Sequence, residues 1–295
     1  MEKGIIIKAL SGFYYVEDKR TKKIVQCRSR GLFRKTKITP LVGDHVGFLV
    51  EKDKSGYIME VEPRKNELIR PPIANVDIAL VVFSAKEPDF NLKLLDRLLA
   101  MIEAKGIEVI IVVTKIDLLT ETENDQLQLI LHYYRHIGYV IFETSSAENQ
   151  GMIDLKNFIK DQIIVICGQS GVGKSSLLNT LDGTLKLEVN EISKALGRGK
   201  HTTRHVQLHP LNQAWVADTP GFSSLELEEL NEIDLASSFV EYQKRSERCK
   251  FRGCIHENEP KCAVKEAVQT GEFMQARYDN YLQFLNEIKS RKPKY

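Results

Sequence analysis

Eight residues, Gly168 to Ser175 (GQSGVGKS), satisfy the spacing Gly-x4-Gly-Lys-Ser. They follow the apolar, β-branched run IIVIC (163–167) and precede SLLNTL (176–181), the strand–loop–helix context in which such a loop wraps a polyphosphate. The chemistry dictates the residue types. Gly168, Gly171 and Gly173 let successive backbone N–H groups curl round phosphates with no Cβ in the way, and the following helix adds the partial positive charge of its N-terminus. Gln169, Ser170, Val172 and Ser176 complete the expected lining, Lys174 reaches the β and γ phosphates, and the Ser175 hydroxyl ligates Mg²⁺. This is the pattern of a nucleoside triphosphate site.

Two further segments extend it. In AWVADTPGF, Asp218 ends a strand where a second Mg²⁺ contact is expected, and Gly221 supplies an N–H for the γ phosphate. Between the two lies GRGKHTTRH (197–205), Gly-rich and without an apolar face, which suits a mobile loop whose Thr202 or Thr203 closes on Mg²⁺. Spacing does not choose between the two threonines. The base is read elsewhere. In TKID (Thr114, Lys115, Ile116, Asp117) the Asp117 carboxylate can accept two hydrogen bonds from guanine N1 and N2 while the Lys115 stem covers the ring. In SSA (Ser145, Ser146, Ala147) backbone N–H groups can meet guanine O6. Both base-reading elements precede the phosphate loop, the reverse of the usual succession, so the motif order is rotated. A parallel sheet tolerates this because spatial neighbours, not chain order, define the site.

Cys249, Cys254, His256 and Cys262 form CxxxxCxHxxxxxC, with Gly253, Asn258 and Pro260 between them. Three thiolates and one imidazole suit a single tetrahedral Zn²⁺, and four protein ligands leave no open position, so the site is expected to be structural. Cys27 and Cys167 lie in apolar strands and read as core fillers.

The elements that must position these groups fall into three stretches of the 295 residues. Residues 1–68 alternate short apolar runs with Gly, Asp and Lys, at the spacing of a five-stranded β-barrel of the oligonucleotide-binding kind (OB-fold). Prolines 63, 71 and 72 mark a linker. Residues 69–225 alternate buried strands (NVDIALVVFSA, IEVIIVVTK, YVIFE, IIVIC) with helices (NLKLLDRLLAMIEA, QLQLILHYYRHIG, GMIDLKNFIK), predicting an α/β unit with a parallel sheet covered on both faces. Residues 226–295 read as mainly helical around the Cys/His cluster. The net charge of +2 is unevenly spread: residues 1–68 hold 15 basic against 9 acidic residues and residues 69–228 hold 15 against 20, which sets a basic flank beside an acidic centre. Residues 19–37 hold nine Lys and Arg and no acid, beside Phe33 and Tyr14 or Tyr15, a stripe suited to tracking a phosphate backbone and stacking bases; the tail KSRKPKY is a second basic patch. The apolar runs fall short of the ~18 residues that a membrane helix needs, and no secretion signal is legible at the N-terminus, so a cytoplasmic protein without membrane contact is expected.

The whole set (TKID, SSA, GQSGVGKS, GRGKHTTR and DTPGF in that order, a barrel-like start with VGDHV at 42–46, and CxxxxCxHxxxxxC after) resembles the bacterial ribosome small subunit-dependent GTPases. The resemblance covers essentially the whole chain. It implies an N-terminal OB-fold, a circularly permuted GTPase domain, a zinc domain, and GTP hydrolysis stimulated by the small (30S) ribosomal subunit late in its maturation, with 16S rRNA as partner and a monomeric protein. Two residues depart from common GTPase patterns: Thr114 stands where many have Asn, and Phe222 follows DTPG where many place the Gln that orients water. Slow intrinsic hydrolysis is therefore expected, with His201 of the mobile loop taking the water-positioning role once RNA orders it. Other classes would also use a phosphate loop: an RNA-binding protein with nucleotide as a static switch, or a P-loop ATPase of RNA metabolism. The latter predicts that ATP competes with GTP and that Asp117 is dispensable.

Overall fold

The computed structural model describes residues 1–29, 38–52, 54–68, 72–183, 206–218, 227 and 230–291. The expected site residues His201, Thr202, Thr203 and Gly221, together with Phe33, Phe222 and the end of the basic tail, lie outside these. The chain opens with β1 (Glu2–Leu10), β2 (Phe13–Asp18), β3 (Ile24–Ser29), β4 (His45–Val50) and β5 (Gly56–Val61), followed by the short β6 (Glu67–Leu68) and β7 (Ile73–Ala74). Strands and helices then alternate: β8 (Ile78–Ser84), α1 (Leu92–Glu103), β9 (Glu108–Thr114), α2 (Glu121–Ile137), β10 (Val140–Glu143), α3 (Met152–Phe158), β11 (Ile163–Cys167) and α4 (Lys174–Leu181). A hairpin, β12 (Gln207–Leu211) and β13 (Ala214–Asp218), precedes α5 (Glu232–Ser238), α6 (Val240–Ser246), α7 (Ala263–Gln269) and α8 (Gln275–Lys289). No helix among the described residues is long and apolar enough to cross a membrane.

Internal contacts divide the chain into two compact units. The first gathers residues 1–78, 153–167 and 174–223. Its first five strands pair in the order β1-β2-β3-β5-β4, and β4 returns to β1, closing the expected barrel. Period-two alternation turns Ile6, Val16, Cys27, Val46, Phe48 and Ile58 inward, all nearly inaccessible to water. A bulge between Ile6 and Lys8 bends β1, and beyond it Lys8 pairs with Gln207, so β1 continues into a ladder with β12, β13 and β11. In this ladder β11 and β13 are parallel, but β12 and β13 are antiparallel. That departs from the purely parallel sheet the alternation predicts, and the cause is local: Asn212 and Gln213 both take positive φ (41° and 68°), the geometry of a two-residue hairpin turn.

The segment past the barrel, read as a linker, is pinned. Buried Asp44 of VGDHV accepts the Leu41 N–H at 2.7 Å and two bonds from the Arg64 guanidinium at 2.7 and 2.8 Å, while Arg64 also donates to the Thr39 carbonyl at 2.7 Å. Reciprocal amide bonds between Asn66 and the Val76 backbone, 2.7 and 2.9 Å, hold the far side of the β6–β7 hairpin.

The second unit gathers residues 79–152, 168–173 and 224–295. Strands lie in the order β10-β9-β8, with β9 and β10 parallel and every position of β8 buried. Asn91 caps α1 through the Leu94 N–H, Thr120 and Glu123 form a capping box on α2, and Gly138 ends α2 in the left-handed region. The C-terminal helices share a core of Leu235, Phe239, Tyr242, Tyr281 and Phe284 with Ala100 and Met101 of α1.

Arg277 of α8 lies at the centre of that packing, 1% exposed. It donates to Asp96 of α1, and to both oxygens of Glu241 of α6 at 2.7 and 3.2 Å. Asp96, 0% exposed, also accepts from Tyr134 of α2 and from Asn280 at 2.7 Å, and the guanidinium stacks 4.5 Å from the Phe239 ring centre. Each buried charge is thus paired and hydrogen-bonded, the condition under which such a cluster is tolerated.

Candidate functional site

Gly168 follows β11 directly and has φ of 144°, a conformation L side chains rarely adopt. A Cβ there would stand 2.1 Å from the Val82 carbonyl oxygen in β8, so the loop crosses this strand only as glycine. It then passes Pro88, whose Cδ lies 3.7 Å from the place of a Gly171 Cβ, and reaches Gly173 beside Thr114 and the Lys115 stem, 3.6 and 4.0 Å from its own Cβ position. The phosphate-loop motif and the TKID motif, far apart and inverted in the sequence, are therefore neighbours within the second unit.

Thr114 fastens them. Buried at the end of β9, its Oγ1 lies 2.6 Å from the Val172 carbonyl oxygen and 3.2 Å from that of Phe83. A hydroxyl has one proton to give, and the shorter contact takes it. The residue that departs from the usual Asn thus ties the phosphate loop to β9, a role its position in the motif does not reveal. Lys115, at φ 58°, donates from Nζ to the Glu87 carbonyl, and Lys86 reaches Glu123 at 2.8 and 2.9 Å. The Lys86 ammonium, with the Thr120 N–H and hydroxyl, holds the Glu123 carboxyl down to about 2. The β8–α1 segment is consequently bound both to TKID and to the head of α2. Sequence reading passed it over; its only signal is SAKEPDFN, a polar run between a buried strand and a capped helix.

Ile116 donates its N–H to the Thr144 carbonyl, 3.5 Å, which brings TKID beside SSA. Asp117 is exposed and lines a polar cavity of about 500 Å³ with Ile116, Thr120, Asn124 and Glu148. The Ser145 N–H bonds the Gln150 carbonyl at 3.2 Å and its hydroxyl accepts from the Glu148 N–H at 3.1 Å. Ser145 thus shapes the turn, leaving the Ser146 and Ala147 amides as the donors that this segment can offer a ligand.

In the first unit, α4 begins at Lys174, and both Lys174 and Ser175 are buried. Burial holds the Lys174 ammonium below the ordinary lysine range, while the neighbouring Cys167 sulfur pulls weakly the other way. A cation at the first residue of a helix also opposes the helix dipole, so an arriving anion relieves two costs at once. Asp218 is the last residue of β13.

The second unit holds the Cys/His cluster. Ligand atoms of Cys249, Cys254, His256 and Cys262 all lie within 4.8 Å of one another. The His256 Nδ1 is 3.4 Å from the Cys262 Sγ and 3.8 Å from that of Cys249. Burial pushes the Cys254 thiol up to about 12, raises that of Cys262, and lowers His256, which keeps the imidazole neutral. Buried thiolates require a cation, and this donor set could hold one. The surroundings orient it: Glu259 accepts the Ile255 and Glu257 N–H groups at 2.7 and 2.9 Å, and the Tyr278 hydroxyl donates to the His256 carbonyl at 2.7 Å. Cys27 and Cys167 are buried in their strands and are not among these donors.

Family models match the barrel and the nucleotide-site region: residues 3–58 match the RsgA N-terminal domain and residues 61–228 the RsgA GTPase. The small ribosomal subunit biogenesis GTPase RsgA of Bacillus subtilis (strain 168) is 54% identical over 298 residues, all of both chains, and that of Geobacillus sp. (strain WCH70) is 54% identical over 295, again all of both. Among solved structures, YloQ, described as a circularly permuted GTPase, is 50% identical with a TM-score of 0.86, covering 100% of this chain and 97% of its own. YjeQ from Thermotoga maritima is 34% identical with a TM-score of 0.87, covering 99% of each. With TKID and SSA ahead of GQSGVGKS, a barrel before them and a Cys/His cluster after, this chain is a GTP-hydrolysing enzyme and belongs to the RsgA GTPase family.

Proposed function

We propose that the protein binds the small (30S) ribosomal subunit through its 16S rRNA and acts in its late maturation, hydrolysing GTP to GDP and phosphate with stimulation by the subunit. The observation that carries the nucleotide half is the Thr114–Val172 bond, which sets the TKID motif against the phosphate loop; the Asp117 carboxylate of that motif favours guanine over adenine. Asp117 takes the N1 and N2 hydrogens of the base, the Lys115 stem covers its face, and the Ser146 and Ala147 amides meet O6. The Gly168–Gly173 amides cradle the phosphates, and Lys174 stabilises charge developing on the γ phosphate. Mg²⁺, held by Ser175, Asp218 and Thr202 or Thr203, supplies further neutralisation when bound. The Phe222 side chain has no polar atom with which to orient water, so His201 takes that role. One Zn²⁺ closes the Cys249–Cys254–His256–Cys262 site and is structural.

The relatives' names supply the subunit half, and the basic stripe of residues 19–37 supports it. We read the protein as a cytoplasmic monomer. Turnover of GTP and ATP, each alone and with small or large ribosomal subunits, tests the whole: GTP hydrolysis stimulated by small subunits alone is the expected result, and equal turnover of ATP overturns the base assignment. Retained subunit-stimulated turnover in His201→Ala would remove that residue from the mechanism.

A further inference from the structure

Reading a base with TKID takes two groups that approach it from different sides: the Asp117 carboxylate meets its edge, and the Lys115 stem lies over its face. Each group has a tether, and both tethers end on Glu123. On the edge side, Thr120 follows Asp117 by three residues and lines the same cavity. The Thr120 N–H and hydroxyl donate to Glu123 Oε2 at 2.8 and 3.0 Å, and the hydroxyl accepts the Glu123 N–H at 3.4 Å. This capping box fixes where the chain leaves the turn Ile116–Leu118 and enters α2.

On the face side, the Lys115 ammonium donates to the Glu87 carbonyl, so the position of that carbonyl decides where the stem lies. Three bonds hold the segment that carries it. The Ser84 hydroxyl donates to the Pro88 carbonyl at 2.6 Å and closes a turn, the Ala85 N–H donates to the Thr114 carbonyl at 2.8 Å, and Lys86 donates to both oxygens of Glu123 at 2.8 and 2.9 Å. Of the three, only the Lys86 bond reaches α2. A carboxylate has lone pairs enough for a cap and an ammonium at once, which lets one side chain serve both tethers. A neutral side chain there could serve the cap but would lose the charge assistance of the Lys86 contact.

We propose that Glu123 is a positioning residue for base recognition: it sets the Asp117 edge through Thr120 and the Lys115 face through Lys86 and the Glu87 carbonyl, so that the two move together. The inference rests on the reading of TKID as the guanine site. The Lys86 and Glu123 side chains are 34% and 40% exposed, so the effect of each is modest and screened by salt.

The test is the release rate, from the full-length protein, of a fluorescent GDP analogue and of its inosine counterpart, which lacks the 2-amino group. Lys86→Met should speed release of both by roughly 2- to 5-fold, the scale of a partly exposed ion pair. The two should change equally, because ring cover is blind to the 2-amino group, and Lys86→Arg should keep the parent's rates. Glu123→Gln retains a side chain that serves the cap and should match Lys86→Met, with the double variant no faster than either. Glu123→Ala removes the cap as well and should speed release of the guanine analogue more than that of the inosine one. Higher ionic strength should shrink the difference between the parent and Lys86→Met, which a merely structural loss would not do. In a Lys115→Met background, Lys86→Met should change nothing further.

Lys86→Met and Glu123→Gln proteins that release at the parent's rates overturn the proposal, as does a Lys86→Met effect that adds in full to that of Lys115→Met. The site reading fails separately: ADP that competes as well as GDP on the parent protein defeats the guanine assignment, whereas a parent that prefers GDP, with Lys86→Met at the parent's rates, defeats the role of Glu123 alone.

Discussion

Thr114→Val is the substitution most informative about how the permuted site is held together. Valine keeps the shape and removes the hydroxyl, so the Val172 carbonyl, now bonded at 2.6 Å, loses its donor inside a buried environment. An unsatisfied buried acceptor costs about 1–3 kcal/mol. The phosphate loop can escape that cost by lifting away from β9, and the free energy then appears in nucleotide binding. At about 1.4 kcal/mol per factor of ten, GDP affinity should fall by roughly 5- to 150-fold. Displacement of a fluorescent GDP analogue measures it, with faster dissociation carrying most of the change. Thr114→Ser restores the donor and should recover most of the affinity. A Thr114→Val protein that melts normally and binds GDP with unchanged affinity would refute the view that this hydroxyl joins the two motifs.

Asp117→Asn should lower GDP affinity by roughly 10- to 100-fold, through loss of charge-assisted bonds worth about 1.5–3 kcal/mol, and should improve xanthosine diphosphate, whose C2 carbonyl can accept from the new amide; competition binding reads both. Lys174→Met should cut GTP turnover by on the order of 10²- to 10³-fold. Because the folded Lys174 amine lies below its unfolded value near 10.4, the folded apo-chain binds fewer protons there, so apo stability should rise as pH climbs through that window; urea melts should show the rise in the parent and its loss in Lys174→Met. Treatment with a thiol reagent should release one equivalent of zinc and depress the melting temperature, and Cys262→Ser should show the same depression without added reagent.

What could be read in advance was whatever the chemistry forces into a local pattern. A phosphate loop needs glycine where Gly168 crosses Val82, and here the four Cys/His donors all fall within residues 249–262, so both patterns were legible, as were the strands and helices with clear periodicity. Contacts between distant residues leave no such mark. Nothing around Arg277 announces that its partners are Asp96 and Glu241, and nothing in TKID says that Thr114 reaches Val172. The β12–β13 hairpin was missed because its turn, Asn212–Gln213, lacks the glycine that usually signals one. The pairing of Lys8 with Gln207 depends on a bulge that no composition rule predicts.

The burial of Arg277 bears on inheritance. Asp96 lies on a helix of the nucleotide-binding half, yet its countercharge comes from the far end of the polypeptide. A descendant that exchanged Arg277 alone for an apolar residue would be left with unmatched carboxylates, Asp96 and Glu241, in hydrocarbon, a loss on the order of 3–5 kcal/mol. Arg277 is therefore open to exchange only in lineages that first replace Asp96 and Glu241 by neutral residues, and recombination that swaps this tail between relatives must carry the aspartate's partner with it.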